Sequence, residues 1–128
     1  MVTPKPDPDT YWVVPGKPLA GEYPGAPDSE EARRRLRRFL AAGVRHFIDL
    51  TEVGELESYA ELLTEEAGFR TSYERFPIHD VSVPDEPKTM AEIIAAIDRA
   101  IAEGGITYVH CLGGVGRTGL AVACWFSL

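Results

Sequence analysis

Three amphipathic helical segments, each followed by a short run of β-branched and aromatic residues, restrict this 128-residue chain more than any other feature. The first runs from Asp28 to Ala42, with Asp28 as N-cap, Glu31 three residues on, and Ala32, Leu36, Phe39 and Leu40 as its apolar stripe. Gly43 suits the left-handed position that ends it, and 44–50, "VRHFIDL", reads as a buried strand. A second helix is expected over Glu55 to Ala67, carrying Leu56, Tyr59, Leu63 and Ala67 and ended by Gly68. Residues 69–78, "FRTSYERFPI", form the next strand, stopped by Pro77. Thr89 and Glu92 read as the capping box of a third helix that buries Ile93, Ile94, Ile97 and Ile101 and closes at Gly104-Gly105. "ITYVHC" is the last strand, and a final helix begins over Gly119 to Phe126. Strands and helices alternating at these lengths predict a single α/β domain with a central, mostly parallel sheet flanked by helices. Ligands of such sheets bind beyond the carboxyl ends of the strands.

The remainder is quickly placed. Residues 1–10, with three prolines among charged residues, are expected to be a mobile arm, and 11–128 the domain. Tyr11-Trp12-Val13-Val14 and Leu19-Ala20 are short strand candidates around Pro15-Gly16. "HDVSVPDEP" is a loop by composition. Apolar runs fall short of the roughly 18 residues a membrane span requires, and "MVTPKPDPDT" lacks the apolar core of a secretory signal. A cytoplasmic location is therefore expected. A formal charge of −7 disfavours nucleic acid and anionic membranes as partners. Five of the thirteen basic residues nevertheless fall between Arg33 and Arg38, which reads as a solvated helix face or as a docking patch for an acidic partner. Cys111 and Cys124 make no disulfide framework, and Cys124 reads as core. His46 and His79 read as structural.

The chemistry concentrates in "YVHCLGGVGRTGLAVACW", residues 108–125. A Walker-type nucleotide loop would need glycine where Cys111 stands and lysine where Arg117 stands. Gly114 to Gly119 match G-x-G-x-x-G, but a dinucleotide site also needs a second strand and an acidic ribose ligand about 20 residues further on. The sequence given stops at Leu128. A third pattern uses the residues the other two waste: Cys111, five residues, Arg117, then Thr118 and Gly119. Here the chain resembles the cysteine-dependent protein tyrosine and dual-specificity phosphatases, whose signature is His-Cys-x5-Arg-Ser/Thr. "YWVVPGKPLAGEYPG", "HFIDLTE" and "FPIHDVSVPDEP" are similar to the opening hairpin, second strand and acid loop of the small dual-specificity enzymes, so the resemblance spans about residue 11 to the end.

Physical chemistry points the same way. Phosphate monoesters hydrolyse extremely slowly in water, so a nucleophile and strong charge stabilisation are both required. A cysteine at a helix N-terminus beside a guanidinium has a lowered pKa and is a ready nucleophile. The N–H groups of Leu112, Gly113, Gly114, Val115, Gly116 and Arg117 can curl into an anion nest, with Arg117 matching two phosphoryl oxygens as a planar fork. The resemblance implies attack by Cys111, a proton for the leaving oxygen from Asp80 (Asp85 is the rival), and water attack on a phosphocysteine. It further implies that Thr118 donates to the departing thiolate and that His110 orders the loop. No cofactor and no metal are expected. The neutral loop, without the lysines that phosphoinositide phosphatases often carry, favours phosphotyrosine on proteins, with some phosphoserine and phosphothreonine activity. A phosphate-binding module without turnover is the alternative, although inactive relatives typically lose the cysteine or the arginine. The resemblance also implies further helices after the loop helix. Their absence past the apolar "ACWFSL" suggests a fragment, inactive without its missing helices, or cover from a partner or second copy.

Overall fold

The structure, a computed structural model, describes residues 10–12, 18–52, 54, 58–68, 71–78, 87–111, 117, 118, 121 and 125. Its sheet contains β1 (Thr10–Trp12), β2 (Pro18–Gly21), β3 (Val44–Asp49), β4 (Ser72–Arg75) and β5 (Ile106–His110), in the order β1-β2-β5-β3-β4. β1 and β2 form an antiparallel hairpin, and every other pair is parallel, as the alternating pattern predicted. β5, last in sequence, is therefore central, held by β2 on one side and β3 on the other. Thr10, assigned above to the mobile arm, is the first residue of β1 and lies opposite Gly21. Residues 1–9 lie outside the described residues.

Helices cover both faces. Alternation along each strand sends Leu19, Phe47 and Tyr108 to one side and Ala20, Ile48 and Val109 to the other. The first set packs with Leu36 and Phe39 of α1 (Ser29–Ala41) and Leu63 of α2 (Ala60–Ala67). The second packs with Ile93, Ala96 and Ile97 of α3 (Pro87–Glu103), and with Cys111 and Ala121. Ile94 and Ile101, expected in the core with them, are only partly buried, and Ala96 and Ala100 fill that stripe instead. Asp28 caps α1 by accepting from the Glu31 N–H at 3.1 Å. Gly43 follows at φ 101°, a conformation that a side chain would strain.

Two helix starts differ from the expectation. The second helix begins at Ala60 rather than Glu55, since Ser58 and Tyr59 are not helical; residues 55–57 lie outside the described residues. Ser58 Oγ accepts from the Ala60 N–H at 3.3 Å, and the Tyr59 side chain is drawn into the core, 1% exposed. The third helix starts at Pro87, ahead of Thr89. Proline has its φ preset for a first turn and lacks an N–H that would go unpaired there. The fourth strand is also shorter than 69–78, although the chain beyond it keeps sheet-like bonds from Phe76 N to Asp49 O (2.9 Å) and Ile78 N to Leu50 O (3.1 Å).

The arginine cluster is largely engaged within the chain. Arg37 grips Glu66 through two nitrogens at 2.9 and 3.0 Å, Arg33 pairs with Glu65 at 2.7 Å, and Arg35 donates to Gly25 O at 2.7 Å. These contacts fasten α1 to α2 and to the segment after β2. His46 is structural as expected, with its ring nitrogens 2.7 Å from Ser72 Oγ and 2.9 Å from Gly104 O.

Candidate active site

The carboxyl ends of β3, β4 and β5 meet at one place, and the chemistry-bearing residues gather there. β5 delivers His110 and Cys111. Its next register neighbour, Leu50, donates its N–H to His110 O at 2.9 Å, so the backbone entering Cys111 is fixed on that side. Cys111 is 3% exposed and packs among Ile48, Ile78 and Ile93 on the α3 face. Arg117 and Thr118 lie in the helical segment after the loop and are equally buried. The Arg117 guanidinium donates from one terminal nitrogen to Ile78 O at 3.0 Å. That bond ties the arginine to the stretch just ahead of the expected acid loop. The structure thus brings Cys111, Arg117, Thr118 and His110 to the end of one strand. Leu112 to Gly116, His79, Asp80, Asp85 and Cys124 lie outside the described residues.

Strand alternation sends His110 to the face opposite Cys111. Its ring stacks on Tyr108 (centroids 5.5 Å apart, planes at 24°) and lies beside Tyr59 (5.3 Å) and Tyr23 (6.4 Å). Tyr59 Oη is hydrogen-bonded to Nε2. Burial pushes the Tyr59 phenol well above its ordinary value of 10, reinforced by the Asp49 charge, so it remains a donor. His110 moves the other way. Burial lowers it from 6.5 to about 4, against the opposing pull of the Asp49 charge and the Cys111 backbone. It is a neutral ring at neutral pH.

This shift has a measurable consequence. An unfolded His takes up its proton near pH 6.5, whereas folded His110 does so only near 4. Stability is therefore complete above pH 6.5 and falls by about 3 kcal/mol as pH drops from 6.5 to 4. Denaturant unfolding at a series of pH values is expected to show this slope in the wild type. In His110→Asn the slope is expected to be mostly absent, and an equal slope in that variant would contradict the assignment.

Sequence reasoning missed the group beneath His110. Asp49 ends β3 with 2% exposure, level with His110 on β5 and Arg75 on β4. Its Oδ1 accepts from the Thr51 hydroxyl (2.6 Å) and N–H (2.8 Å), and its Oδ2 from Tyr73 (2.5 Å) and Arg75 (3.2 Å). Burial alone would raise the Asp49 carboxyl. The charge that His110 acquires at acid pH, with the hydrogen bonds from Thr51 and Tyr73, outweighs it and holds the group below its ordinary 3.8. A signal was present: "HFIDL" ends an apolar strand on a carboxylate, and a buried charge requires partners.

Two clefts among the described residues lie away from this site. They measure about 310 and 580 Å³, share Arg45 and Thr71, and lie at the amino ends of the strands, opposite Cys111. Among the described residues, no group of three or more His, Cys, Asp or Glu could hold a metal ion. Among them, too, no helix is long and apolar enough to cross a membrane.

Comparison with known proteins places this arrangement. Residues 24–127 match the family model described as the DSP-PTPase phosphatase of polymorphic toxin systems. The mouse (Mus musculus) protein tyrosine phosphatase domain-containing protein 1 is 33% identical over 110 residues, covering 77% of this chain. The chain spans 15% of that relative's length. Among solved structures, Tk-PTP in its active form superposes with a TM-score of 0.75 at 24% identity, over 93% of this chain and 72% of that one. PTPMT1 in complex with PI(5)P gives 0.70 at 22% identity, over 92% and 71%. At these identities the structural likenesses establish the fold.

Proposed function

Because the chain belongs to the DSP-PTPase phosphatase family of polymorphic toxin systems, we propose that it hydrolyses phosphate monoesters through a phosphocysteine formed on Cys111. The observation that carries the reading is the pairing of a buried Cys111 at the end of the central strand with a buried Arg117 fixed by Ile78. The loop from Leu112 to Arg117 receives the phosphoryl oxygens, and the arginine fork stabilises the charge that builds on them in the transition state. Thr118, whose hydroxyl is buried beside the loop, assists the departure of Cys111 in the second step. His110 positions the loop from beneath. No metal enters either step.

Asp80 supplies the proton to the leaving oxygen, then acts as carboxylate base on the attacking water. It stands two residues after Ile78, whose carbonyl accepts from Arg117. Asp80→Asn is expected to cost about a hundredfold in kcat and to remove the alkaline limb of the pH profile. Asp85→Asn should leave both intact, and the opposite pattern would make Asp85 the acid.

Phosphotyrosine on proteins is the first substrate class, with phosphoserine and phosphothreonine behind it. The loop between Cys111 and Arg117 has no lysine to meet a multiply charged headgroup. A second reading, a phosphoinositide substrate, is favoured by the fold shared with PTPMT1 bound to PI(5)P. The test is turnover of an aryl phosphate, phosphopeptides and PI(5)P side by side, with a chelator present. Chelator-resistant turnover with phosphotyrosine peptides fastest supports the proposal. A preference for PI(5)P would overturn the substrate class, and no turnover by folded protein would leave a phosphate-binding module.

A further inference from the structure

The cluster beneath the site contains an ion pair that the proposed chemistry does not use. Asp49 and Arg75 are level with each other on adjacent strands, and Asp49 is level with His110, the residue before Cys111. Burying the Asp49 carboxylate costs most of what its pairing with the partly exposed Arg75 returns, so stability is a poor reason for the pair here. We propose that Asp49 and Arg75 are positioning residues acting as a matched charge pair, which keeps the potential at Cys111 under the control of Arg117 and the loop.

This inference rests on the reading of Cys111 as nucleophile. Neighbouring strands lie about 4.8 Å apart, which puts the Asp49 carboxylate on the order of 8 Å from the Cys111 thiol. At an effective dielectric constant of about 20, one uncompensated charge at that distance moves a titration by about one pH unit after allowance for solvent. Among the described residues, the cation that neutralises Asp49 at working pH is Arg75, 3.2 Å from the carboxylate. His110, the other basic group facing Asp49, is uncharged in the working range because burial lowers it to about 4. Tyr59 and Tyr73, the remaining titratable groups facing Asp49, are both raised above 10 and stay protonated. Glu74, between Tyr73 and Arg75 on β4, alternates to the other side of the strand and pairs with Arg99 of α3 at 2.7 Å. Arg117 is the charge on the Cys111 side. Tyr73, donating to the same carboxylate oxygen as Arg75, fixes where the pair sits.

Opposite charges make opposite predictions, which a purely structural role would not. The rate of Cys111 alkylation by iodoacetamide, followed by peptide-resolved mass spectrometry across pH, reads the thiolate directly and without turnover. The midpoint is expected to fall in Asp49→Asn, where Arg75 is left uncompensated, by less than about one pH unit because Arg75 lies one strand further from Cys111 and is partly exposed. It should rise by about one unit in Arg75→Gln, stay in place in Arg75→Lys, and return close to wild type in the double variant Asp49→Asn/Arg75→Gln. The acid limb of kcat/KM should follow the same order. Shifts of the same sign in the two single variants, or none in either, would overturn the inference. Should Asp49→Asn not fold, Arg75→Gln against Arg75→Lys carries the same test, because only the loss of charge should move the midpoint. Failure of the nucleophile reading looks different: turnover surviving Cys111→Ser, with wild-type Cys111 titrating near the ordinary thiol value of about 8.5.

Discussion

Cys111→Ser is expected to lower kcat for an aryl phosphate by about a hundred-thousandfold, with little change in the affinity for phosphate. The substitution removes one property. A serine oxygen is a far weaker nucleophile toward phosphorus, and a poorer leaving group in the second step, than a cysteine sulfur. The rest of the site should survive, because β5 is held from both sides and Leu50 fastens the backbone at His110. Cys111 is 3% exposed and packs among isoleucines, so the smaller oxygen costs some packing but creates no large cavity. Steady-state kinetics with calorimetric titration of inorganic phosphate separates the two properties. A variant that binds phosphate without turnover distinguishes an enzyme from a binding module. A loss of phosphate binding equal to the loss of kcat would mean that the substitution had disturbed the loop itself.

Arg117→Lys is expected to lower kcat/KM by about a thousandfold, although the positive charge is kept. The guanidinium is 3% exposed and its orientation is set by the bond to Ile78 O. A planar fork anchored in this way can present two parallel N–H groups to two phosphoryl oxygens. A lysine ammonium is a point charge on a flexible stem. It cannot keep the Ile78 contact and also reproduce that pair. The loss should fall mainly on kcat, since the fork matters most when charge accumulates on the equatorial oxygens. Circular dichroism would confirm that the variant is folded, and a kcat within tenfold of wild type would contradict this role for the guanidinium.

What could be read from the sequence depended on how far apart the interacting residues lie along the chain. The Asp28 cap and the stripe of Ala32, Leu36 and Phe39 fall within a few turns of each other, and α1 appeared where expected. Cys111 and Arg117 are close in sequence, and the chemistry they imply needs no distant partner to be recognised. The start of α2 was misplaced because Tyr59 sits at helical spacing while its ring answers to His110, 51 residues away. Thr89 and Glu92 looked like a helix start because a capping box is a local pattern, but Pro87 had already opened the turn. Asp49 finds Tyr73 and Arg75 only through parallel pairing of β3 with β4, at separations of 24 and 26 residues. No periodicity in the sequence encodes that meeting. The arginine run of α1 likewise looked like a free patch until Glu65 and Glu66 arrived from α2.

In the proposed reaction the phosphoryl group passes through the sulfur of Cys111. The most direct measurement is rapid acid quenching of the wild type during turnover of a phosphotyrosine peptide, followed by peptide mass spectrometry under conditions that preserve thiophosphate esters. One added phosphoryl group is expected on the peptide containing Cys111, and none in Cys111→Ser. A phosphoryl group on another residue, or turnover that persists without Cys111, would contradict it.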